Sequence, residues 1–173
     1  MKSRWADGLR PRHFVWVLAG SLALSERPGG HSRNHRPVRR QEEILWLKEQ
    51  GFTRVVSLLP SPHNLHAYEA AELACTHLPL PSTADLAAVL PGQLAALEAL
   101  VAAEERMLVH HETMGDAVMG VAAAYLVWVR RLSTPAQAST VLERLAGRRM
   151  GPDGRAVLLA GFEAAVGAGR SSG

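Results

Sequence analysis

Residues 107–128, MLVHHETMGDAVMGVAAAYLVW, decide the fold of this chain. The apolar residues 107–109, closed by His110, predict a short buried strand, and the run of small and apolar residues from Ala117 onward predicts a buried helix. Between them lies a polar loop, HETMGD, at residues 111–116. A strand, a tight loop and a helix N-terminus aim several backbone N–H groups at one point, where the helix dipole favours negative charge. The stretch therefore predicts an anion cradle.

Length and composition predict one globular domain and are consistent with a reducing compartment without requiring one. The chain has 173 residues, of which 47% are hydrophobic and 20% charged, as in soluble proteins. Its one cysteine, Cys75, excludes an internal disulfide framework and a cysteine-based metal cluster. We expect one folded domain over residues 14–166, preceded by a basic arm at 1–13 and followed by a disordered tail at 167–173. A cytoplasmic location fits this pattern. The N-terminus imitates a secretory signal, but Asp7 reduces its positive charge and Gly20 interrupts its apolar run.

The distribution of charge and apolar residues argues against membrane and nucleic-acid partners. No window holds the roughly 18 uninterrupted apolar residues that a membrane span needs, and residues 14–24 and 118–129 are the longest candidates. Residues 1–40 carry nine Lys/Arg against two acids, hence +7, while the other 133 carry ten against fourteen, hence −4. These arginines are scattered among Pro, Gly and Ser with few aromatic residues between them. We interpret the basic segment as a solvated arm and expect no nucleic-acid partner.

The order of elements predicts an α/β fold with a small, mostly parallel central sheet, flanking helices and a helical C-terminal third. Strands are expected at residues 13–24, with a turn at Gly20, and at 54–59, 76–81 and 107–110. Helices are expected at 38–50, 64–74, 91–105, 117–132, 134–146 and 155–166. Pro91 is placed in a first turn, and Ser133 and Asp116 are placed as helix N-caps. Residues 25–37 predict a loop, in which His31 and His35 are either solvated or a metal-binding pair.

Five segments in this order resemble the compact dual-specificity members of the protein-tyrosine-phosphatase superfamily. They are LAGSLALSERPG at 18–29, LKEQGFTRVVSLL at 47–59, HLPLP with a nearby acid at 77–85, the stretch at 107–128, and TPAQASTVLERLAG at 134–147. The resemblance covers residues 14–166. It implies a phosphatase-like fold, with Asp85 on the loop that carries the general acid.

The loop departs from that family where its chemistry resides. The family pattern is a His, then Cys, five residues and Arg; here His110 matches the first His, His111 falls on the cysteine and Ala117 on the arginine. Met114 falls where a glycine is usual. A thiolate nucleophile and a guanidinium clamp are both needed for that reaction, and Cys75 belongs to a different element. The resemblance therefore implies a degenerate loop and a protein that is not a cysteine phosphatase.

The carboxylates of the loop change its expected charge. If Glu112 and Asp116 both pointed into the cradle, each would repel a phosphate charge at ~4 Å by about 4 kcal/mol at an effective dielectric near 20. Either these carboxylates turn outward, or the cradle accepts a neutral or cationic group.

Three loops are expected to meet at the carboxyl ends of the parallel strands, where open α/β sheets bind ligands. The candidate catalytic residues are His111, Asp85, Glu112 and Asp116. The candidate loop and ligand-binding residues are His110, Thr113, Met114, Gly115, His63 and His66. Two chemistries follow: His111 as base or nucleophile with Asp85 as proton donor, or a divalent ion held by His111, His63, His66 and Glu112. No cofactor is required by the first of them.

Structural roles remain open for the same residues. His110 is expected to hydrogen-bond the loop backbone, Asp85 and Asp116 to cap helices, and His63 and His66 to begin one. Three functions follow: a repurposed enzyme acting on a small molecule, a pseudophosphatase that binds a ligand or protein partner, and a residual phosphomonoester hydrolase working through His111. We expect a small-molecule ligand and allow a protein partner.

Overall fold

The computed structural model describes residues 8–62 and 64–169, which form two compact units. The first contains Met1–Pro79 and Glu105–Thr113, and the second contains Leu80–Glu104 and Met114–Gly173. Both units are discontinuous in sequence, and the boundary between Thr113 and Met114 falls inside the polar loop. The histidine half of the loop thus belongs to one unit and its last residues to the other.

A five-stranded sheet forms the framework of the first unit. Its strands are β1 (Val15–Leu18), β2 (Leu22–Glu26), β3 (Arg54–Ser57), β4 (Ala74–His77) and β5 (Met107–His111), and their order is β1-β2-β5-β3-β4. Only β1 is antiparallel to its neighbour; all other pairs are parallel. The predicted mostly parallel sheet of an α/β fold is confirmed, with the polar loop leaving its central strand.

Two helices accompany the sheet, α1 (Pro37–Glu49) and α2 (Leu65–Ala70). Ile44 and Leu47 of α1 and Tyr68 of α2 join Val55 and Leu108 of the sheet in one buried cluster. Aromatic rings extend this cluster towards β1, with centroids 5.2 to 6.4 Å apart; they are Phe14, Trp16, Trp46 and Phe52. Burial of these large apolar side chains, each contributing about 1.5–3 kcal/mol, fixes the helices on the sheet.

The second unit consists of four helices, α3 (Leu86–Ala102), α4 (Asp116–Trp128), α5 (Pro135–Ala146) and α6 (Pro152–Gly167). Every residue of α4 from Val118 to Trp128 is buried. Helix α4 packs on α5 and α6, and α3 packs on α6. Small residues allow close approach: a Cβ on Gly120 would lie 2.8 Å from the carbonyl oxygen of Gly154. The apolar half of the opening stretch is therefore the core helix of this unit.

Several predicted boundaries need correction. The helix predicted to run to residue 74 ends at Ala70, because Glu72 adopts a left-handed conformation (φ 58°) and the chain then enters β4. Cys75 lies inside β4, opposite Val55, rather than before it. Because the left-handed residue of this turn is a glutamate and not a glycine, the sequence did not indicate the turn.

The first residues and N-caps of three helices also differ from the predicted ones. Helix α3 begins at Leu86, so Pro91 lies in its second turn and not in its first. Gly115, not Asp116, is the N-cap of α4, and α5 is capped by Thr134 instead of Ser133. Thr134 forms a capping box with Gln137, which satisfies two backbone N–H groups at once.

One apolar helix passes a test for membrane spans by length and composition. Among the described residues, the segment Thr83–Ala102, a 3-10 turn followed by α3, has 20 residues and a mean hydropathy of 1.4; it is not among the candidates expected from the sequence. Leu90, Leu94 and Leu97 are buried and α3 packs on α6, although only 28% of the apolar segment is buried. Core helices of soluble proteins pass the same test, so one such helix is weak evidence for a membrane.

Close packing in the second unit predicts opposite effects of one substitution at two glycines. A Cβ on Gly161 would overlap the Cβ of Ala124, whereas a Cβ on Gly92 has no neighbour within 4 Å. Gly161→Ala should lower the free energy of unfolding by about 1–3 kcal/mol. Gly92→Ala, in the interior of α3, should raise it by roughly 0.5–1 kcal/mol. Chemical denaturation measures both; equal effects would contradict the packing.

Candidate functional site

The strand, loop and helix predicted around residues 107–128 are present. Strand β5 is buried over its first four residues and ends at His111, and α4 begins at Asp116. In the loop, Thr113 is exposed while Met114 and Gly115 are buried. Gly115 has an extended backbone (φ −124°, ψ −164°) and caps α4 without a side-chain hydrogen bond. The N-terminal turn of α4 therefore has no capping side chain of its own.

His110 is a buried, neutral imidazole that shapes the loop. Its Nδ1 lies 3.2 Å from the carbonyl oxygen of His111, and its Nε2 lies 3.4 Å from the Tyr68 hydroxyl. A carbonyl only accepts, so Nδ1 carries the proton and Nε2 accepts from Tyr68. Burial, reinforced by the charge of Arg27, lowers the pKa of His110 to about 4. His110 thus makes the backbone contact expected of it, while a role in ligand binding stays a prediction.

His111 is the histidine that remains chemically available. It ends β5 opposite Glu26 of β2 and is half-buried. Burial lowers its pKa, and the negative charge of Glu112 opposes that effect. None of the described residues hydrogen-bonds its ring. A neutral imidazole without a partner suits the base or nucleophile proposed from the sequence, but does not test that role.

Glu112 is paired with an arginine that the sequence analysis missed. The Arg27 Nη1 donates to Glu112 Oε1 over 3.1 Å, and only 12% of the Arg27 side chain is exposed. Arg27 follows β2, which is parallel to β5 and in register with it, so the two loops leave the same edge of the sheet. The three loops expected from the sequence to meet at this edge follow β3, β4 and β5 and do not include the loop after β2. The parallel pairing of β2 with the loop-bearing strand was the signal that could have found Arg27.

A buried ionic network lies behind Arg27, in the same unit. Arg39 donates to Glu43 and Glu26, whose side chains are 2% and 7% exposed. The backbone N–H of Gly29 donates to the second oxygen of Glu43 over 2.9 Å. Arg40 donates to Asn64 Oδ1 over 2.8 Å. This network fixes the loop that carries Arg27, because buried charges are stable only when paired.

His31 and His35, in the predicted loop, border this network. His31 Nδ1 lies 3.7 Å from a carboxylate oxygen of Glu26. His35 Nε2 lies 3.3 Å from Arg40 Nη1, and burial together with Arg27 and Arg40 lowers its pKa, whereas Glu112 raises it. Arg27, Arg40, His35 and Glu112 therefore form one electrostatic cluster.

Asp116 has a different partner, in the second unit. Its Oδ1 accepts from the backbone N–H of Gly151 over 3.0 Å and from Arg148 over 3.3 Å, and its Oδ2 accepts from the N–H of Gly154 over 3.1 Å. Gly151 is the N-cap of α6. Asp116 therefore caps α6 rather than α4, and both oxygens are engaged. Arg148 also donates to the carbonyl oxygen of Met114 over 3.3 Å.

The remaining candidates are placed as follows. Asp85 belongs to the second unit, is exposed, and accepts a hydrogen bond from the Ser82 hydroxyl over 2.7 Å; it occupies the N-cap position of α3 but makes no side-chain capping bond. His66 is exposed in the first turn of α2. His63 lies outside the described residues. Among the residues that are described, no group of three His, Cys, Asp or Glu is placed to hold a metal ion, and the predicted divalent ion stays a prediction.

The two loop carboxylates are thus turned to partners of their own. Each is neutralised within its unit by an arginine, Glu112 by Arg27 and Asp116 by Arg148. Both carboxylates are therefore charge-paired, and the choice between outward-turned carboxylates and a cradle for a neutral or cationic group stays a prediction.

Removing the carboxylate at Asp116 should destabilise the protein. Asp116→Ala leaves two backbone N–H groups at the start of α6 without acceptors, and we expect a loss of about 2–3 kcal/mol in the free energy of unfolding. Asp153→Ala is the matched control, because Asp153 is exposed in the first turn of the same helix and should cost roughly 0.3–1 kcal/mol. Equal losses in denaturant titrations would refute the capping role.

Stability should fall as the pH is lowered from about 6.5 to about 4. In this window the unfolded state protonates His110, whose ordinary pKa is 6.5, while the folded state does not, since its pKa is about 4. The slope contributed by His110 reaches about 1.4 kcal/mol per pH unit. His35 and His111, with lowered pKa values, act in the same direction. Unfolding measured at several pH values should show a shallower slope for His110→Asn; an unchanged slope would contradict the assignment.

Comparisons with solved structures identify the fold. A variant of human DUSP28 is 27% identical, with a TM-score of 0.64 over 92% of this chain and 99% of that one. Kinase-associated phosphatase, with its catalytic-site cysteine replaced by serine, is 20% identical, with a TM-score of 0.67 over 86% and 92% of the two chains. Tk-PTP in its active form is 19% identical, with a TM-score of 0.66 over 87% and 96%.

No protein-family model matches the sequence, and no curated protein matches it significantly. The structural likeness covers most of the chain. The chain therefore has the fold of the compact dual-specificity phosphatases of the protein-tyrosine-phosphatase superfamily, as the resemblance of its sequence implied.

Proposed function

We propose that this protein is a pseudophosphatase, a phosphatase-fold protein that binds a ligand or partner and does not hydrolyse phosphate esters. The observation that carries the proposal is the engagement of three of the four ionisable groups at residues 110–116, all but His111. Glu112 is paired with Arg27, Asp116 caps α6, and His110 is buried and neutral. Groups occupied in these ways serve the structure and are poorly suited to transfer protons or hold a reacting group.

The absence of a thiol from the loop supports the same proposal. Kinase-associated phosphatase has a cysteine in its catalytic site, whereas residues 110–117 of this chain contain none. Cys75 lies on β4, two strands from β5, and in register with Leu108, three residues before His111. Strand spacing then puts its Cα roughly 14 Å from that of His111. Burial raises the pKa of Cys75, which disfavours the thiolate that nucleophilic attack requires.

The missing guanidinium is the second support. Ala117 stands where the family has its phosphate-binding arginine, and the two arginines that reach the loop each hold a carboxylate of it. Bidentate binding of the phosphoryl oxygens in the transition state, which a free guanidinium provides, has no counterpart among the residues of the loop.

A repurposed enzyme is the second candidate, and His111 is the observation that favours it. Its imidazole has a lowered pKa and no hydrogen-bond partner among the described residues, so at neutral pH it is an unprotonated base. Its reactivity is measured by the rate of modification with diethyl pyrocarbonate. Modification of His111 faster than that of exposed His66 would favour the enzyme; slower modification would favour the binding protein.

The proposal predicts no turnover of a generic aryl phosphate. Wild-type protein, His111→Ala and Cys75→Ser should release phosphate from 4-nitrophenyl phosphate at the same background rate, because no group in the loop forms a phosphoryl-enzyme intermediate. Turnover by the wild type that is lost in His111→Ala would establish the residual hydrolase. Turnover that is lost in Cys75→Ser would show that the reaction depends on the Cys75 thiol. Either result would refute the pseudophosphatase.

A further inference from the structure

We propose that Arg27 and Arg40 form an oxyanion site that the chain's own Glu112 occupies, and that a phosphate group binds there when Glu112 is displaced. The inference rests on the proposed binding function and names its ligand class. The phosphatase pattern has an arginine at the position of Ala117, and the proposed site does not involve that position. The anion would instead be held by guanidinium groups from the loop after β2 and from α1.

The contact between Arg27 and Glu112 leaves much of both groups unused. Within residues 8–62 and 64–169, one Nη1 to Oε1 hydrogen bond is formed, and Glu112 Oε2 is buried without a hydrogen-bond partner. A guanidinium presents five N–H donors and a carboxylate normally accepts two of them in parallel. A single bond with a buried, unsatisfied oxygen is a poorly matched pair. An anion with better-placed oxygens can therefore compete with Glu112.

Arg40 supplies a second set of donors. Its Nη1 is occupied by Asn64 and lies near His35, but its Nε is buried without a partner among the described residues. Arg40 and His35 also pack against the loop that carries Arg27, because a Cβ on Gly29 would lie 2.8 Å from Arg40 Cβ and 2.8 Å from His35 Nε2. A tetrahedral phosphate offers three oxygens to such donors, whereas the Glu112 carboxylate leaves one of its two unbound.

The charge balance of this cluster also favours an added anion. Arg27, Arg39 and Arg40 carry three positive charges, and Glu26, Glu43 and Glu112 carry three negative ones. Arg39 already has two carboxylates, both of them buried, and these are fixed by the network. Glu112, whose side chain is 37% exposed, is the carboxylate that can leave. When Glu112 is displaced, the positive charge of Arg27 loses its partner, and a bound phosphate neutralises that charge at short range.

The test is titration calorimetry of the full chain with inorganic phosphate. Glu112→Gln should bind phosphate at least about tenfold more tightly than wild type, because a charge-assisted contact is released to the ligand. Adding Arg27→Gln to that variant should abolish the gain. Phenyl phosphate, titrated in parallel, shows whether the site takes a phosphomonoester as well as the free ion.

Glu105→Gln is the matched control for the change in net charge. Glu105 pairs with Arg54 over 3.0 Å in the same unit, so this variant should keep the wild-type affinity. If Glu112→Gln does not fold, Glu112→Asp withdraws the carboxylate by one methylene and should show the same gain.

Two results would overturn the inference. They are a phosphate affinity of the Glu112 variant no higher than that of Glu105→Gln, and a gain that survives removal of Arg27. Hydrolysis of 4-nitrophenyl phosphate is a separate measurement, so failure of the pseudophosphatase proposal is distinguishable from failure of this one.

Discussion

The parallel pairing of β5 with β2 on one side and β3 on the other is the constraint on which the first unit depends. Residues 107–109 are at most 1% exposed, so β5 is buried on both faces, as a central strand of a parallel sheet is. Its register sets Glu26 opposite His111 and Ser57 opposite His110. The loops that follow β2 and β5 consequently leave the sheet side by side, which brings Arg27 to Glu112.

Much of this arrangement could be read from local patterns. The apolar run at residues 107–109 predicts a buried central strand, and the small-residue run after Gly115 predicts a core helix; both are present. The turn at Gly20 and the helix stopped before Gly51 follow equally from glycines at positive φ. These features depend on residues close in sequence, for which periodicity and turn chemistry are informative.

The partners of the polar side chains could not be read in this way. Arg27 is 85 positions from Glu112, and Tyr68 is 42 positions from His110. Asp116 was expected to cap the helix that it begins, since short-range capping is the usual role of an aspartate there. The backbone N–H groups that donate to it lie 35 and 38 positions away. Side-chain pairing across such separations depends on strand order and helix packing, which one sequence does not specify.

The carboxylate of Asp116 also ties the order of folding in the second unit to its chain connectivity. Its hydrogen bonds with Gly151 and Gly154 close a loop of about 35 residues that contains α4 and α5. Closing this loop costs conformational entropy before the packing of α6 stabilises the unit. During synthesis α4 is complete long before α6 emerges. The small-residue surface of α4 around Gly120 and Ala124 consequently remains uncovered in the nascent chain until α6 arrives, and exposed apolar surface of this kind is prone to aggregation.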